Sequence, residues 1–167
     1  WANCAGCPEA LFGGIQIDDT GGGAFAVKYD PSGTVQWAKS LATTGVGNGI
    51  ATSGTSLVYV FVGGVPTSSV KKLDAADGSE LDSWNFTGLM PDQIMKLSVD
   101  GSGNVIISGS FTGTVDFDPG VGVSNLAGDA NGDGFVARYA ATGALLWARK
   151  LTSSGADAVK NHALAAG

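Results

Sequence analysis

A tryptophan-bearing hairpin that recurs along the chain is the sequence feature that most constrains the fold. Residues 134–151 alternate apolar and polar side chains on both sides of Thr142-Gly143, which is typical of two short strands joined by a tight turn. The same pattern occurs at residues 24–41 and, more loosely, at residues 70–84. Because a hairpin that recurs at a regular interval is typical of repeat architectures, we expect several copies of one β unit.

The spacing of these hairpins predicts the size of the unit. Trp37 and Trp84 are 84 − 37 = 47 residues apart, and Trp147 follows after 147 − 84 = 63 residues. A loop predicted over residues 113–133 accounts for most of the excess. Further strands are predicted at residues 50–52, 57–62, 94–99 and 104–111. Four strands per unit at this period are typical of a β-propeller blade, with a β-sandwich and a β-solenoid as the alternatives.

We therefore predict an all-β fold of β-propeller-type repeats, in which four-stranded antiparallel blades number about three. The predicted blades are residues 1–44, 45–88 and 89–151, and residues 152–167 start or complete a further blade of this single, partial propeller. Known rings have roughly four to eight blades, and open strand edges are avoided in proteins. The chain is therefore expected either to be a fragment of a longer protein or to build one six-bladed ring from two copies.

The composition limits the classes of partner. Hydrophobic residues make up 44% of the 167 residues, which is too much for a disordered chain. The formal charge of −6 leaves no basic stripe for phosphates, so we expect no nucleic-acid partner. The longest apolar run, residues 57–65, is about half of what a membrane helix needs, so no membrane span is expected.

Cys4 and Cys7 are the only cysteines, in the order Cys-Ala-Gly-Cys. We predict a local disulfide or a thiol pair without a catalytic role, and pairing with a missing segment or partner, redox chemistry and metal binding are the alternatives. The single histidine, His162, cannot complete a zinc site with them and is expected at the surface or at a sheet edge. The low lysine content favours an oxidising compartment.

Residues 129–134, Asp-Ala-Asn-Gly-Asp-Gly, fit the opening of a calcium-binding loop. Calcium prefers several oxygen ligands that converge from a tight loop, and calcium is the one cofactor that the sequence suggests. Ala140 stands where an EF-hand requires a glutamate, which excludes a standard EF-hand. The candidate ligands are Asp129, Asn131 and Asp133, with Asp116 and Asp118 as weaker candidates. The alternative is a polar turn in which these side chains bond to the backbone.

Parts of the chain resemble a known family. Residues 100–105, residues 109–120 and the Trp147 hairpin are similar to the bacterial β-propeller repeat proteins that carry SBBP-type repeats. The resemblance covers residues 92–167 and extends to residues 24–41, whereas the middle hairpin at Leu73–Gly78 is similar to quinoprotein-type propeller repeats. It implies a bacterial protein that is secreted or attached to the cell surface.

The expected function is that of an extracellular, non-catalytic module which acts as a structural or binding scaffold. A close variant of this function is a subunit that self-assembles through its terminal strands. Its expected partners are another copy of itself or the remainder of a longer chain, and a protein or glycan ligand. A propeller enzyme and a carbohydrate-binding lectin are the alternatives. Tryptophans can stack on sugars, but their recurrence at one position of the unit favours packing between blades. We predict no catalytic residues.

Overall fold

The described part of the chain is built entirely from β-strands and turns. A computed structural model describes residues 9–18, 23–64, 67–89, 94–152, 157–160 and 162–163. These residues form twelve strands and no helix, so they contain no helix that could cross a membrane. The predicted Cys4–Cys7 pair lies outside the described residues.

The strand bounds are β1 (Glu9–Phe12), β2 (Ile15–Asp18), β3 (Phe25–Tyr29), β4 (Val35–Ser40), β5 (Val46–Ser53), β6 (Leu57–Gly63), β7 (Thr67–Asp74), β8 (Glu80–Thr87), β9 (Ile94–Val99), β10 (Val105–Asp116), β11 (Asn125–Tyr139) and β12 (Leu145–Leu151).

Within each sheet, strands that follow one another in sequence pair antiparallel. Strands β1 and β2 form a hairpin, β3 and β4 form sheet I, β5 to β8 form sheet II, and β9 to β12 form sheet III. The predicted all-β fold of antiparallel sheets is thereby confirmed. Within the described residues the sheets form neither a closed barrel nor a closed ring. The arrangement into about three propeller blades stays a prediction.

Strand β6 shows why the sheets stack face to face. It is apolar at nearly every position, and its side chains alternate between the two faces of sheet II. Tyr59 and Phe61 belong to the core shared with sheet III, whereas the three alternating valines of the strand belong to the core shared with sheet I. Sheet II is therefore buried on both faces, as the middle layer of three.

Two separate cores hold the layers together. The core between sheets I and II contains Trp37 and Leu73, and the larger core between sheets II and III contains Phe86 and Phe135. Leu97 of β9 packs directly on β5, where a Cβ atom built on Gly49 would lie 3.0 Å from the Leu97 Cβ. The absence of a side chain at Gly49 therefore permits the close approach of these two strands.

Three hairpin turns have a glycine at their fourth position because the backbone there requires a positive φ. In the turn from Asp30 to Thr34, the Gly33 N–H donates to the Asp30 carbonyl at 3.0 Å, and the Asp30 N–H donates to the Thr34 carbonyl at 2.9 Å. Gly33 has a φ of +84°, a conformation that residues with a Cβ atom rarely adopt. The turns from Asp100 to Asn104 and from Ala140 to Ala144 have the same closure. This chemistry is typical of a tight hairpin with a glycine bulge.

The predicted loop over residues 113–133 is mostly strand, so that prediction was wrong. Strand β10 continues to Asp116, β11 begins at Asn125, and the connecting loop is only residues 117–124. The two strands pair again beyond a register shift between Phe111 and Gly113. Residues 113–116 form a strand despite their turn-forming glycine, because the side chain of Val115 is buried while its neighbours along the strand point to the other face.

Candidate functional site

Beside the hydrophobic core, a lysine and a tryptophan of sheet I contact a turn of sheet II. Lys28 on β3 and Trp37 on β4 stand opposite each other in the register of sheet I. The Lys28 Nζ donates to the Ala75 carbonyl at 2.6 Å, and the Trp37 Nε1 donates to the same oxygen at 3.1 Å. The indole also covers Gly78, where a Cβ atom would lie 2.7 Å from the Trp37 Cε3. Two donors and one aromatic ring of sheet I thus hold the β7–β8 turn of sheet II.

The same kind of contact recurs between sheets II and III. The Lys72 Nζ donates to the Ala141 carbonyl at 3.2 Å, and a Cβ atom built on Gly143 would lie 2.5 Å from the Trp84 Nε1. The Trp84 Nε1 donates to Asp82 within its own strand rather than to the next sheet. We name this arrangement the clamp: a lysine or arginine and a tryptophan of one sheet hold the turn between the third and fourth strands of the next.

Sheet III carries a third cation and tryptophan, at the positions equivalent to those of sheet I. Arg138 stands opposite Trp147 in the register of sheet III, as Lys28 stands opposite Trp37 in sheet I. Arg138 forms an ion pair with Asp100, while its Nε is buried without a hydrogen-bond partner. Trp147 is half-buried, whereas Trp37 and Trp84 are buried between sheets.

The predicted calcium ligands Asp129, Asn131 and Asp133 lie on an irregular stretch of β11. The Asp129 Oδ1 accepts hydrogen bonds from the N–H groups of Asn131 and Gly132 at 2.8 and 2.9 Å. The Asp133 Oδ2 accepts from the Asp129 N–H at 3.1 Å and from the Lys150 Nζ at 3.0 Å. Asp133 is 1% exposed, so this ion pair is buried on the carboxylate side. Side chains that bond to a nearby backbone are what the polar-turn alternative describes.

Of the weaker candidates, Asp116 is the last residue of β10, and Asp118 lies in the loop of residues 117–124. The Asp116 Oδ1 accepts from the N–H groups of Asp118 and Ser124, at 3.0 and 2.8 Å, and the Asp118 Oδ1 accepts from the Gly120 N–H at 2.8 Å. Tyr139 lies beneath this loop. Burial raises its pKa, and so do the charges of Asp118 and Asp116. In the part of the chain that the structure describes, no three His, Cys, Asp or Glu side chains form a group able to hold a metal ion. The calcium site stays a prediction.

His162, which was expected at the surface or at a sheet edge, is half-buried against the outer face of sheet III, where it contacts the edge strand β9. Its Nδ1 hydrogen-bonds the hydroxyl of Ser108 at 2.8 Å, and its Nε2 hydrogen-bonds the hydroxyl of Ser98. Burial lowers the pKa of the imidazole, and the nearby charge of Lys96 lowers it further. Because both ring nitrogens are engaged by serine hydroxyls, the ring acts as a bridge to β9 and β10.

Backbone hydrogen bonds reinforce this attachment. The Val159 N–H donates to the Gly109 carbonyl at 3.1 Å, and the Asp157 N–H donates to the Gly132 carbonyl at 2.9 Å. The described residues of 157–163 therefore lie across β9, β10 and the start of the regular part of β11.

Two shallow clefts open at the surface of the described residues. One, of 190 Å³, lies between Gly134, Leu151 and Val159, and the other, of 340 Å³, lies between Phe25 and Ile50. Neither brings together the carboxylates or the histidine discussed above. No protein-family model matches the chain, and no curated protein matches it either.

Proposed function

We propose that this chain is an extracellular, non-catalytic β-propeller-repeat module, which acts as a structural or binding scaffold and associates with further copies of itself. Sheets II and III are each one blade in this proposal, and β1 to β4 belong to another. The observation that carries it is the clamp, which joins sheet I to sheet II and sheet II to sheet III in the same direction. A contact that recurs with one direction extends a stack of repeats without altering the repeat itself.

The described polar clusters support a structural role. The carboxylates of the β11 stretch and of Asp116, at the end of β10, accept backbone hydrogen bonds, and His162 bridges two serines. Such bonds hold turns and segments in place, as buried or half-buried polar groups require. The extracellular location rests on the resemblance to SBBP-type repeats and on the composition.

The first experiment is the molar mass in solution, measured by light scattering over a dilution series. Self-association predicts a mass of two chains or more. A mass of one chain at every concentration would contradict it.

The same measurement with a calcium chelator tests the predicted ligands Asp129, Asn131 and Asp133. If calcium holds this stretch, chelation lowers the mass or the midpoint of thermal unfolding, and the variant Asp129→Ala shows no response to the chelator. An identical mass and midpoint with and without chelator would remove calcium from the proposal.

A further inference from the structure

We propose that the Arg138–Trp147 pair of one copy holds the Asp30–Gly33 turn of a second copy of this chain. This inference rests on the proposed function and names the surfaces through which the module would associate. The interface would be a third clamp, formed between molecules instead of within one. Sheet III of one copy would thereby be followed by sheet I of the next.

Sheet III presents the donor side of a clamp. The Arg138–Trp147 pair has the same register as Lys28–Trp37, including the shift of one residue at the end of each hairpin. The face alternation of β12 places Ala148 in the core with sheet II, so Trp147 points to the opposite face. In sheet I this is the face that holds the next turn, through Lys28 and Trp37.

The donor groups of this third pair are incompletely used in the described structure. Trp147 remains half-buried, and the buried Arg138 Nε has no hydrogen-bond partner among the described residues. Buried N–H groups of side chains normally have a partner. The Arg138 side chain as a whole is 36% exposed, so part of it can still be reached from outside, and a turn carbonyl is the partner that the other two cations have. The Asp157 and Val159 N–H groups donate to the carbonyls of Gly132 and Gly109, and His162 contacts β9 and β10.

Sheet I presents the acceptor side. The turns that receive a tryptophan have a glycine at the point of contact, Gly78 under Trp37 and Gly143 under Trp84. The equivalent glycine of sheet I is Gly33, and a Cβ atom built there would meet no atom within 4 Å. Its φ of +84° matches the values of +73° and +86° at the two occupied turns. The turn therefore has the shape that a tryptophan covers elsewhere in this chain.

A second copy of the same chain is the partner because donor and acceptor are different surfaces of one molecule. Such a head-to-tail contact is heterologous, so it closes into a ring when the rotation permits and otherwise extends as a filament. The contact between sheets I and II, whose cation and tryptophan have the same register, supplies the geometry that the third would repeat.

The test blocks each side separately. Trp147→Ala removes the ring, and Gly33→Asn adds a side chain under it, since asparagine tolerates positive φ better than most residues. The matched controls are Leu146→Ala, which changes the exposed neighbour of the tryptophan, and Gly54→Asn, which changes a glycine of φ +59° that also has open space around it. Circular dichroism and thermal unfolding establish that each variant is folded.

The expected result is a mass of one chain for either blocked variant, at concentrations where the wild type and both controls have the mass of two chains or more. An equimolar mixture of the two blocked variants should recover a pair, because one copy retains its Trp147 and the other retains its Gly33. A merely structural role for either residue would not give this recovery.

Two other results are informative. Association that persists in both blocked variants would overturn the assigned interface and leave self-association standing. A wild type that is monomeric throughout would overturn both.

Discussion

Gly143→Ala should lower the free energy of unfolding more than Gly103→Ala does, because only the new Cβ atom at position 143 would collide with the indole of Trp84. Both glycines lie in sheet III, in five-residue turns with the same backbone closure, and their φ angles are +86° and +80°. A Cβ atom at Gly103 would have its nearest neighbour, the Ser53 Oγ, at 3.6 Å, which is ordinary contact. A Cβ atom at Gly143 would lie 2.5 Å from the Trp84 Nε1 and 2.8 Å from its Cε2.

The magnitudes follow from these two environments. A residue with a Cβ atom in the left-handed region costs about 1–2 kcal/mol, and this strain is common to both variants. At Gly143 the indole must also move, and overpacking of this kind costs about 1–3 kcal/mol. We therefore expect Gly103→Ala to lower the free energy of unfolding by about 1–2 kcal/mol and Gly143→Ala to lower it by about 2–5 kcal/mol.

Urea unfolding at neutral pH, followed by far-ultraviolet circular dichroism, measures both values. In a Trp84→Ala background the extra cost at Gly143 should disappear, because two residues in contact are not additive. Equal costs for the two glycine variants in the presence of Trp84 would refute the clamp as a tightly packed contact.

Three further outcomes are expected. Acidification should weaken the attachment of the described part of residues 157–163 to sheet III. The folded structure lowers the pKa of His162 below its ordinary value of 6.5, so the attachment is favoured above pH 6.5 and weakens as the pH falls below it. A lower protection factor of the Val159 amide at pH 5 than at pH 7, after correction for the slower intrinsic exchange at pH 5, would show this. Lys150→Ala should lower the free energy of unfolding by about 1–3 kcal/mol, because the buried carboxylate of Asp133 loses its cation; an unchanged urea midpoint would contradict this. Ala140→Asp should raise the free energy of unfolding by about 0.5–1 kcal/mol, and with it the urea midpoint. The reason is that an aspartate begins the two other turns of this class and accepts hydrogen bonds from N–H groups of its own turn. A lowered midpoint would contradict this.

The strands with clear alternation could be predicted from the sequence. The predicted strand at residues 94–99 coincides with β9, and those at 50–52 and 57–62 lie within β5 and β6. Alternation and turn residues are local signals, so they need no knowledge of the tertiary structure. The same signals predicted the tryptophan hairpins.

The irregular parts of the strands could not be predicted in this way. Glycine and aspartate at residues 128–133 are turn residues in most contexts, but a bulge inside a strand uses the same residues. The Phe-x-Gly pattern occurs at both Phe12 and Phe111, yet only the first is followed by a hairpin. At the first pattern, Gly13 and Gly14 both have positive φ and form a two-residue turn. At the second pattern, Thr112 stands at the position of Gly13, and threonine adopts positive φ less readily than glycine.

The candidate site was predictable only in part. Recurrence of tryptophan predicted packing between units, and Trp37 and Trp84 do pack between sheets. The role of Lys28 as a donor to the next sheet has no local signal, because its acceptor is 47 residues away in sequence. The bridge from His162 to two serines depends in the same way on segments distant in the chain.

The burial of β6 on both faces bears on how the chain can be shortened. Residues 57–62, Leu-Val-Tyr-Val-Phe-Val, contain no charge, proline or glycine, which is the composition of segments that nucleate amyloid. In the folded chain, sheet I covers one side of this strand and sheet III covers the other. Deleting sheet I or sheet III would expose an apolar face of sheet II to solvent. We therefore expect a truncated chain to accumulate in inclusion bodies instead of yielding a smaller soluble protein. Proteolytic clipping within β9 to β12 would carry the same hazard.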